Sequence, residues 1–324
     1  MISNHNTLEV HDLKTYFYTS RGVVKAVDGV SFELKKGETL GLVGESGCGK
    51  SITCLSVMRL VPRPAGRIVG GRVLLEGEDL LKKSEKEMTR IRGRRITMIL
   101  QDPMMSLNPL FTIGEQVAEP IRIHQKLGKL AVWEKVVEML RLVRIPSPEV
   151  RMREYPHQMS GGMRQRISGA MTLSCQPDIL IADEPTTALD LTIQAQFLSL
   201  LKEIQQQANL TMIVVTHDFG IIARVCDRVA VMYAGKIVES AVTRELFNNS
   251  IHPYTIALLN SLPKMEVKVD RLYSIEGQPP ELHALPPGCS FSPRCPHVME
   301  VCLKDYPPPK EITSGHYAGC WLHG

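Results

Sequence analysis

Gly44-Glu45-Ser46-Gly47-Cys48-Gly49-Lys50-Ser51 is a complete phosphate-binding loop of the form G-x-x-x-x-G-K-S. Each part of the pattern has a physical task on a nucleoside triphosphate. The glycines let successive backbone N–H groups turn inward around the phosphates, Lys50 reaches the β and γ oxygens, and the Ser51 hydroxyl is placed to ligate Mg²⁺. The flanks fit this reading. Thr39-Leu40-Gly41-Leu42-Val43 predicts a buried strand running into the loop, and Ile52-Thr53-Cys54-Leu55-Ser56-Val57-Met58 predicts a helix whose N-terminus faces the anion.

With 324 residues the chain has room for one large α/β domain plus an appendage. Its 38 basic and 34 acidic residues leave a net charge of +4, without a dense basic stripe, so nucleic acid is not an expected partner. The polar start, Met1 to Asn6, predicts no secretory signal. No apolar run approaches the roughly 20 residues of a membrane helix. A cytoplasmic chain is expected, with any membrane contact made through a partner. In a reducing compartment the eight cysteines are not expected to form structural disulfides.

Three stretches differ in pattern. Up to about residue 100, short β-branched runs (Leu8–Val10, Val30–Leu34, Val73–Leu75, Ile96–Leu100) alternate with turn chemistry at 12–22 and 62–71. From about 113 to 172 the spacing is helical, as in Trp133 to Leu140, with Pro146 and Pro148 ending that element. Strand-like runs return at Ile179–Ala182, Met212–Val215 and Val229–Tyr233. Beyond about 250 the chain becomes proline-rich, with few apolar residues for a core. No internal repeat is visible, so one nucleotide domain is expected over 1–250 and an extension over 251–324.

A second piece of chemistry closes the run Ile179-Leu180-Ile181-Ala182-Asp183-Glu184. At the end of a buried strand Asp183 can hold Mg²⁺ and Glu184 can polarise an attacking water. His217 closes a later strand within plausible reach of a γ-phosphate, and Gln101 can orient water or touch Mg²⁺. Finally, Met159-Ser160-Gly161-Gly162-Met163 places a capping serine before two glycines, leaving bare helix N–H groups for an anion. This is a second phosphate cradle in one chain. A head-to-tail dimer resolves the duplication, because each nucleotide then lies between one chain's loop and its partner's serine.

With these motifs in order the chain resembles the ATPase subunits of ABC transporters. The marks are the loop 44–51, Gln101, Ser160-Gly161-Gly162, Asp183-Glu184, Ala188-Leu189-Asp190 and His217. The resemblance covers about 250 residues. It implies a P-loop NTPase fold: a RecA-like core, an antiparallel β subdomain, and an inserted α-helical subdomain over about 102–172 that contacts membrane partners. It also implies ATP and Mg²⁺ as ligands, Glu184 as the residue orienting water with His217 and Gln101 holding the geometry, and an aromatic stacked on adenine. Phe17 matches that position best, with Tyr16 and Tyr18 as alternatives.

A narrower similarity, to the dipeptide/oligopeptide and nickel importers, rests on Gln101 to Pro109, Tyr155-Pro156-His157-Gln158, His252-Pro253-Tyr254-Thr255 and Cys289 to Pro296. The long tail favours a peptide-like solute over nickel, and a soluble ABC ATPase without permeases is the further alternative. The partners implied are a homologous ATPase subunit in a heterodimer, two permeases and an extracytoplasmic solute-binding protein, with this chain peripheral at the cytoplasmic face. Cys289, Cys295, Cys302 and Cys320 crowd the tail at spacings wider than zinc ribbons use. Four thiolates suit a 4Fe–4S cluster or zinc, with free thiols as the third alternative. The resemblance favours the iron–sulfur cluster.

Overall fold

The computed structural model describes residues 6–101, 106–187, 189–262 and 273–323. Its strands in chain order are β1 (Asn6–Thr19), β2 (Gly22–Lys35), β3 (Thr39–Val43), β4 (Gly66–Leu75), β5 (Glu78–Asp79), β6 (Ile96–Ile99), β7 (Ile179–Asp183), β8 (Thr211–Thr216), β9 (Arg228–Tyr233), β10 (Lys236–Val242), β11 (Lys310–Thr313) and β12 (His316–Ala318). They sort into two compact units, one centred on residues 82–215 and one combining 8–34, 39–81 and 216 onward.

In the first unit β6, β7 and β8 are parallel, with Ile99 beside Ala182 and Asp183 beside Val215. Every residue of β7 and β8 is buried. Strands covered on both faces read as continuous apolar runs, which is how these were recognised in the sequence. Helices Ile113–His124, Lys129–Leu142, Pro148–Arg151 and Gly161–Leu173 fill the stretch expected to be helical. Their stripe of Ile113, Val117, Ile121, Val136, Leu140 and Ile167 is buried in one core. The Thr112 hydroxyl and Glu115 close a capping box at the start of the first of these helices. Pro148 opens a short helix at its first turn, where its missing N–H costs nothing.

The second unit holds an antiparallel sheet in the order β2-β1-β4-β5 and a run of strands in the order β11-β12-β10-β9-β3. Within that run β3 and β9 are parallel, while β9, β10, β12 and β11 pair antiparallel. Two turn expectations shift here. β1 continues to Thr19, because an irregularity between His11 and Lys14, with Asp12 at φ 47°, absorbs the break in register on β4. The second turn contracts, since β4 starts at Gly66.

The tail is ordered by strand pairing as well as by burial of Tyr254 and Phe291. β12 adds to the edge of β10, with Glu239 beside Ala318. Glu239, 1% exposed, is the node of this region. Its carboxylate accepts from Ile251 N at 2.7 Å and His252 N at 3.0 Å, and lies 2.7 Å from His316 Nε2. Two separate segments converge on one buried acid. Glu239→Ala would strand those partners, so a loss of about 3–5 kcal/mol in unfolding free energy is expected. Denaturant titration checks the loss, and limited proteolysis should show faster cutting beyond residue 273.

Candidate functional site

The phosphate loop leaves β3 and enters the helix Lys50–Val57. Two of its glycines are required by space as well as by backbone angle. Gly44 has φ 150° and a Cβ there would stand 2.2 Å from Met232 O; Gly49 has φ 106° and a Cβ there would stand 2.2 Å from Ala26 O. Gly235 N donates to Cys48 O at 2.9 Å, closing the loop from a third side. Gly49 caps the helix without a side-chain hydrogen bond, so no capping side chain closes the helix N-terminus to an anion. Lys50 is buried, its Nζ donating to Gly44 O at 2.7 Å and Glu45 O at 3.0 Å. The ammonium is held over its own loop.

The aromatic stretch sits on β1. Thr15 Oγ1 and Ser56 Oγ are 2.7 Å apart, fastening this strand to the helix that follows the loop. The three candidates differ in surroundings. Tyr16 OH donates to Asp28 at 2.6 Å, Tyr18 is 48% exposed with Arg67 over its ring, and half-buried Phe17 pairs with Gly66.

In the other unit, Asp183 ends β7 and is buried. Glu184 follows in the left-handed region at φ 45°, a conformation that costs a residue with a side chain free energy. Its backbone N–H donates to Val215 O at 2.9 Å, and its carboxylate accepts from Gln101 Nε2 at 3.0 Å and Thr187 Oγ1 at 3.1 Å. Glu184 is therefore aimed by three contacts, and Gln101 and Glu184, 83 positions apart, are brought together. With Gln101 Nε2 donated to Glu184, Oε1 is the amide atom that remains for a metal. Hydroxyl, carboxylate and amide oxygens of the kind Ser51, Asp183 and Gln101 carry are the donors Mg²⁺ takes. His217 follows β8 and is exposed.

Ser160 caps the helix Gly161–Leu173, its Oγ accepting from Met163 N at 3.3 Å. Around Gly161 no atom would meet an added Cβ, whereas at Gly162 that Cβ would lie 2.7 Å from Ile193 Cγ2. Gly161 thus keeps the helix N-terminus open, while Gly162 lets the next helix approach. Asp190 caps that helix, Leu191–Ala208, by accepting from Ile193 N. Of the segment 188–190, Ala188 lies outside the described residues.

The tail cysteines converge. Cys289, Cys295, Cys302 and Cys320 all line one small cavity of about 20 Å³, together with His252, Phe291 and Trp321. Burial pushes the Cys289 thiol up to about 11, and the other three thiols push it the same way. Burial raises Cys295 and Cys320 as well. The donor set is that of a four-cysteine metal centre. The space admits about one water-sized atom, so a cluster requires the thiols to part. Among the described residues no group of three or more His, Cys, Asp or Glu is arranged to hold a metal ion.

Two residues beside the loop were not singled out as site residues in the sequence. Tyr254 OH accepts from Glu45 N at 2.9 Å, and the Arg294 guanidinium pairs with the Glu45 carboxylate. Separations of 209 and 249 positions leave no local signal for either contact.

Comparison with known proteins extends this geometry. A family model described as "ABC transporter" matches residues 27–187, and one described as "Oligopeptide/dipeptide transporter, C-terminal region" matches 238–302. The chain is 51% identical to the dipeptide transport ATP-binding protein DppD of Bacillus subtilis, over 97% of this chain and 94% of that protein. The same figures hold for the probable peptide ABC transporter ATP-binding protein y4tR of Sinorhizobium fredii. Identity to the oligopeptide transport ATP-binding protein OppD of Escherichia coli is 46%, over 97% and 92%. Among solved structures, the ATP-binding cassette MJ0796, a dimer bound to ADP and Pi in a post-hydrolysis state, superposes with a TM-score of 0.66 at 26% identity. That match covers 73% of this chain and 99% of the other.

Because a Cβ at position 49 meets Ala26 O, Gly49→Ala is expected to cost about 1–3 kcal/mol of stability. It should also weaken nucleotide binding by roughly tenfold or more, as the loop amides turn away. Thermal unfolding and an ATP titration of the same sample measure the two effects.

Proposed function

The chain belongs to the ATP-binding subunits of the dipeptide/oligopeptide ABC transporter family, and from that membership we propose that it hydrolyses ATP to power uptake of di- or oligopeptides. The observation that carries the reading is the loop 44–51, with Lys50 held over it. The chain that bears it shares about half its residues, nearly end to end, with proteins named for peptide transport.

The roles assigned to individual residues follow from chemistry and family together. The loop amides, Lys50 and Ser51 bind the triphosphate, and Phe17 carries the adenine. Ser51, Asp183 and Gln101 carry the oxygens that would hold Mg²⁺, which would supply charge neutralisation at the phosphate oxygens. Glu184, fixed by Gln101 and Thr187, orients the attacking water and accepts its proton, while His217 steadies the γ-phosphate. Ser160, Gly161 and Gly162, at a helix N-terminus that Gly161 keeps open, serve the nucleotide of a partner subunit, and Asp190 fixes the helix packed behind Gly162. We place the nucleotide domain at 1–250, the helical subdomain at about 102–172 as the permease contact, and the extension at 251–324. The working assembly is a heterodimer with a homologous ATPase, two permeases and a solute-binding protein, with this chain peripheral at the cytoplasmic face. Among the described residues no helix is long and apolar enough to cross a membrane, which fits that arrangement. For the four tail cysteines, which line one cavity but are not arranged to hold a metal as they stand, the proposal is a metal centre formed once the thiols part, with a 4Fe–4S cluster as the specific form.

Two experiments test this reading. In the assembled transporter Glu184→Gln should lower ATP turnover by about 10²-fold or more while ATP binding persists, the usual scale for losing a general base. Lys50→Ala should lose binding itself. Turnover near the wild-type rate in Glu184→Gln would contradict the assignment. Anaerobically purified chain should carry about four irons, as a 4Fe–4S cluster requires; zinc in their place would leave the centre and remove the cluster.

A further inference from the structure

The tail reaches the phosphate loop through one side chain. Arg294, in the turn Ser292–Arg294 just before Cys295, keeps only 3% of its side chain exposed. Its guanidinium forks onto the Glu45 carboxylate, Nη1 to Oε2 at 2.7 Å and Nη2 to Oε1 at 3.1 Å. Nη1 also donates to Tyr233 OH at 3.4 Å and Nε to Glu276 O at 3.1 Å. The ring faces of Tyr233 and Phe291 lie about the same cation, and Tyr254 packs on both rings. Bidentate pairing of this kind fixes direction as well as charge.

Glu45 is the second residue of the loop, and each of its polar groups is taken. Tyr254 OH receives its N–H, Lys50 and Cys48 N donate to its carbonyl, and Arg294 holds its carboxylate. A second tail contact lies alongside: the segment Pro279–Leu282 and the loop residues Glu45 to Cys48 line one cavity of about 220 Å³, and Leu282 O accepts from Lys25 N. A carboxylate in a loop built to hold a triphosphate repels its ligand unless a cation cancels it. Arg294 is that cation, and it comes from the tail.

We propose that Arg294 is a positioning residue of the nucleotide site: it neutralises Glu45 and fixes the loop, so the cysteine-bearing tail sets the affinity for ATP. The proposal rests on the loop being the ATP site. It explains why a tail lying more than 200 residues beyond the loop packs in the same unit as it. It also gives the four-cysteine cavity, whose Cys295 adjoins Arg294, a direct route to nucleotide binding.

The test is equilibrium titration of the full chain with Mg–ATP, for wild type, Arg294→Lys, Arg294→Ala and Arg294→Ala with Glu45→Gln. Arg294→Ala should bind on the order of tenfold more weakly, as an unpaired carboxylate in the loop implies, and Arg294→Lys should fall between. Removing the stranded charge in the double variant should bring affinity back to within about threefold of wild type. A purely structural role in the tail would not be rescued by Glu45→Gln. Unchanged binding in Arg294→Ala overturns the proposal, as does a loss that persists in the double variant. Should Arg294→Ala fail to fold, Arg294→Lys with and without Glu45→Gln makes the same comparison. A wild-type chain that does not bind Mg–ATP would instead overturn the reading of the loop.

Discussion

Close backbone approach at the phosphate loop is the constraint on which the second unit depends. Gly44 lies against the carbonyl of Met232 and Gly49 against that of Ala26, so neither position tolerates a side chain. These contacts join β3, β9 and the β2 strand around one turn of chain. The neighbouring strands follow from it. β9 pairs in parallel with β3 to bring Met232 to the loop, and Thr15 on β1 meets Ser56 on the helix beyond it. A cradle fixed by backbone sterics needs little reorganisation when an anion arrives, which is the condition for electrostatic stabilisation of a phosphoryl group.

The acid pair is built on a different principle. Asp183 belongs to a strand buried on both faces, while Glu184 turns off its end at positive φ. That strain persists because Val215 O, Gln101 and Thr187 over-determine the residue. Three contacts, one at the backbone N–H and two at the carboxylate, hold Glu184 in one place, as the water-orienting role proposed for it requires.

Legibility in the sequence followed the range of the interactions. The loop, the run Ile179–Asp183 and the Ser160 cap are local, each written within about ten residues, and each lies where the sequence places it. The helical stretch was readable because its apolar stripe repeats with the helix period. Pairings across long separations were not readable: Arg294 with Glu45, Tyr254 with the loop, and Glu239 with His316 join residues that carry no mutual signal in the chain. β1 was read too short because Asp12 and Gly22 look like turn residues. A bulge at one and a hairpin at the other let the strand continue between them. The tail seemed to lack the means to order itself; strand addition to β10 and one buried acid supply the order.

The central claim is that residues 44–51 are a ready-made triphosphate cradle supported from the tail. Amide hydrogen exchange on the full chain, with and without Mg–ATP, tests it most directly. The account predicts slower exchange across Gly44 to Ser51, where the loop closes on the phosphates, with a smaller slowing around Ser292 to Cys295. Unchanged exchange across the loop, with protection appearing elsewhere in the chain, would contradict it.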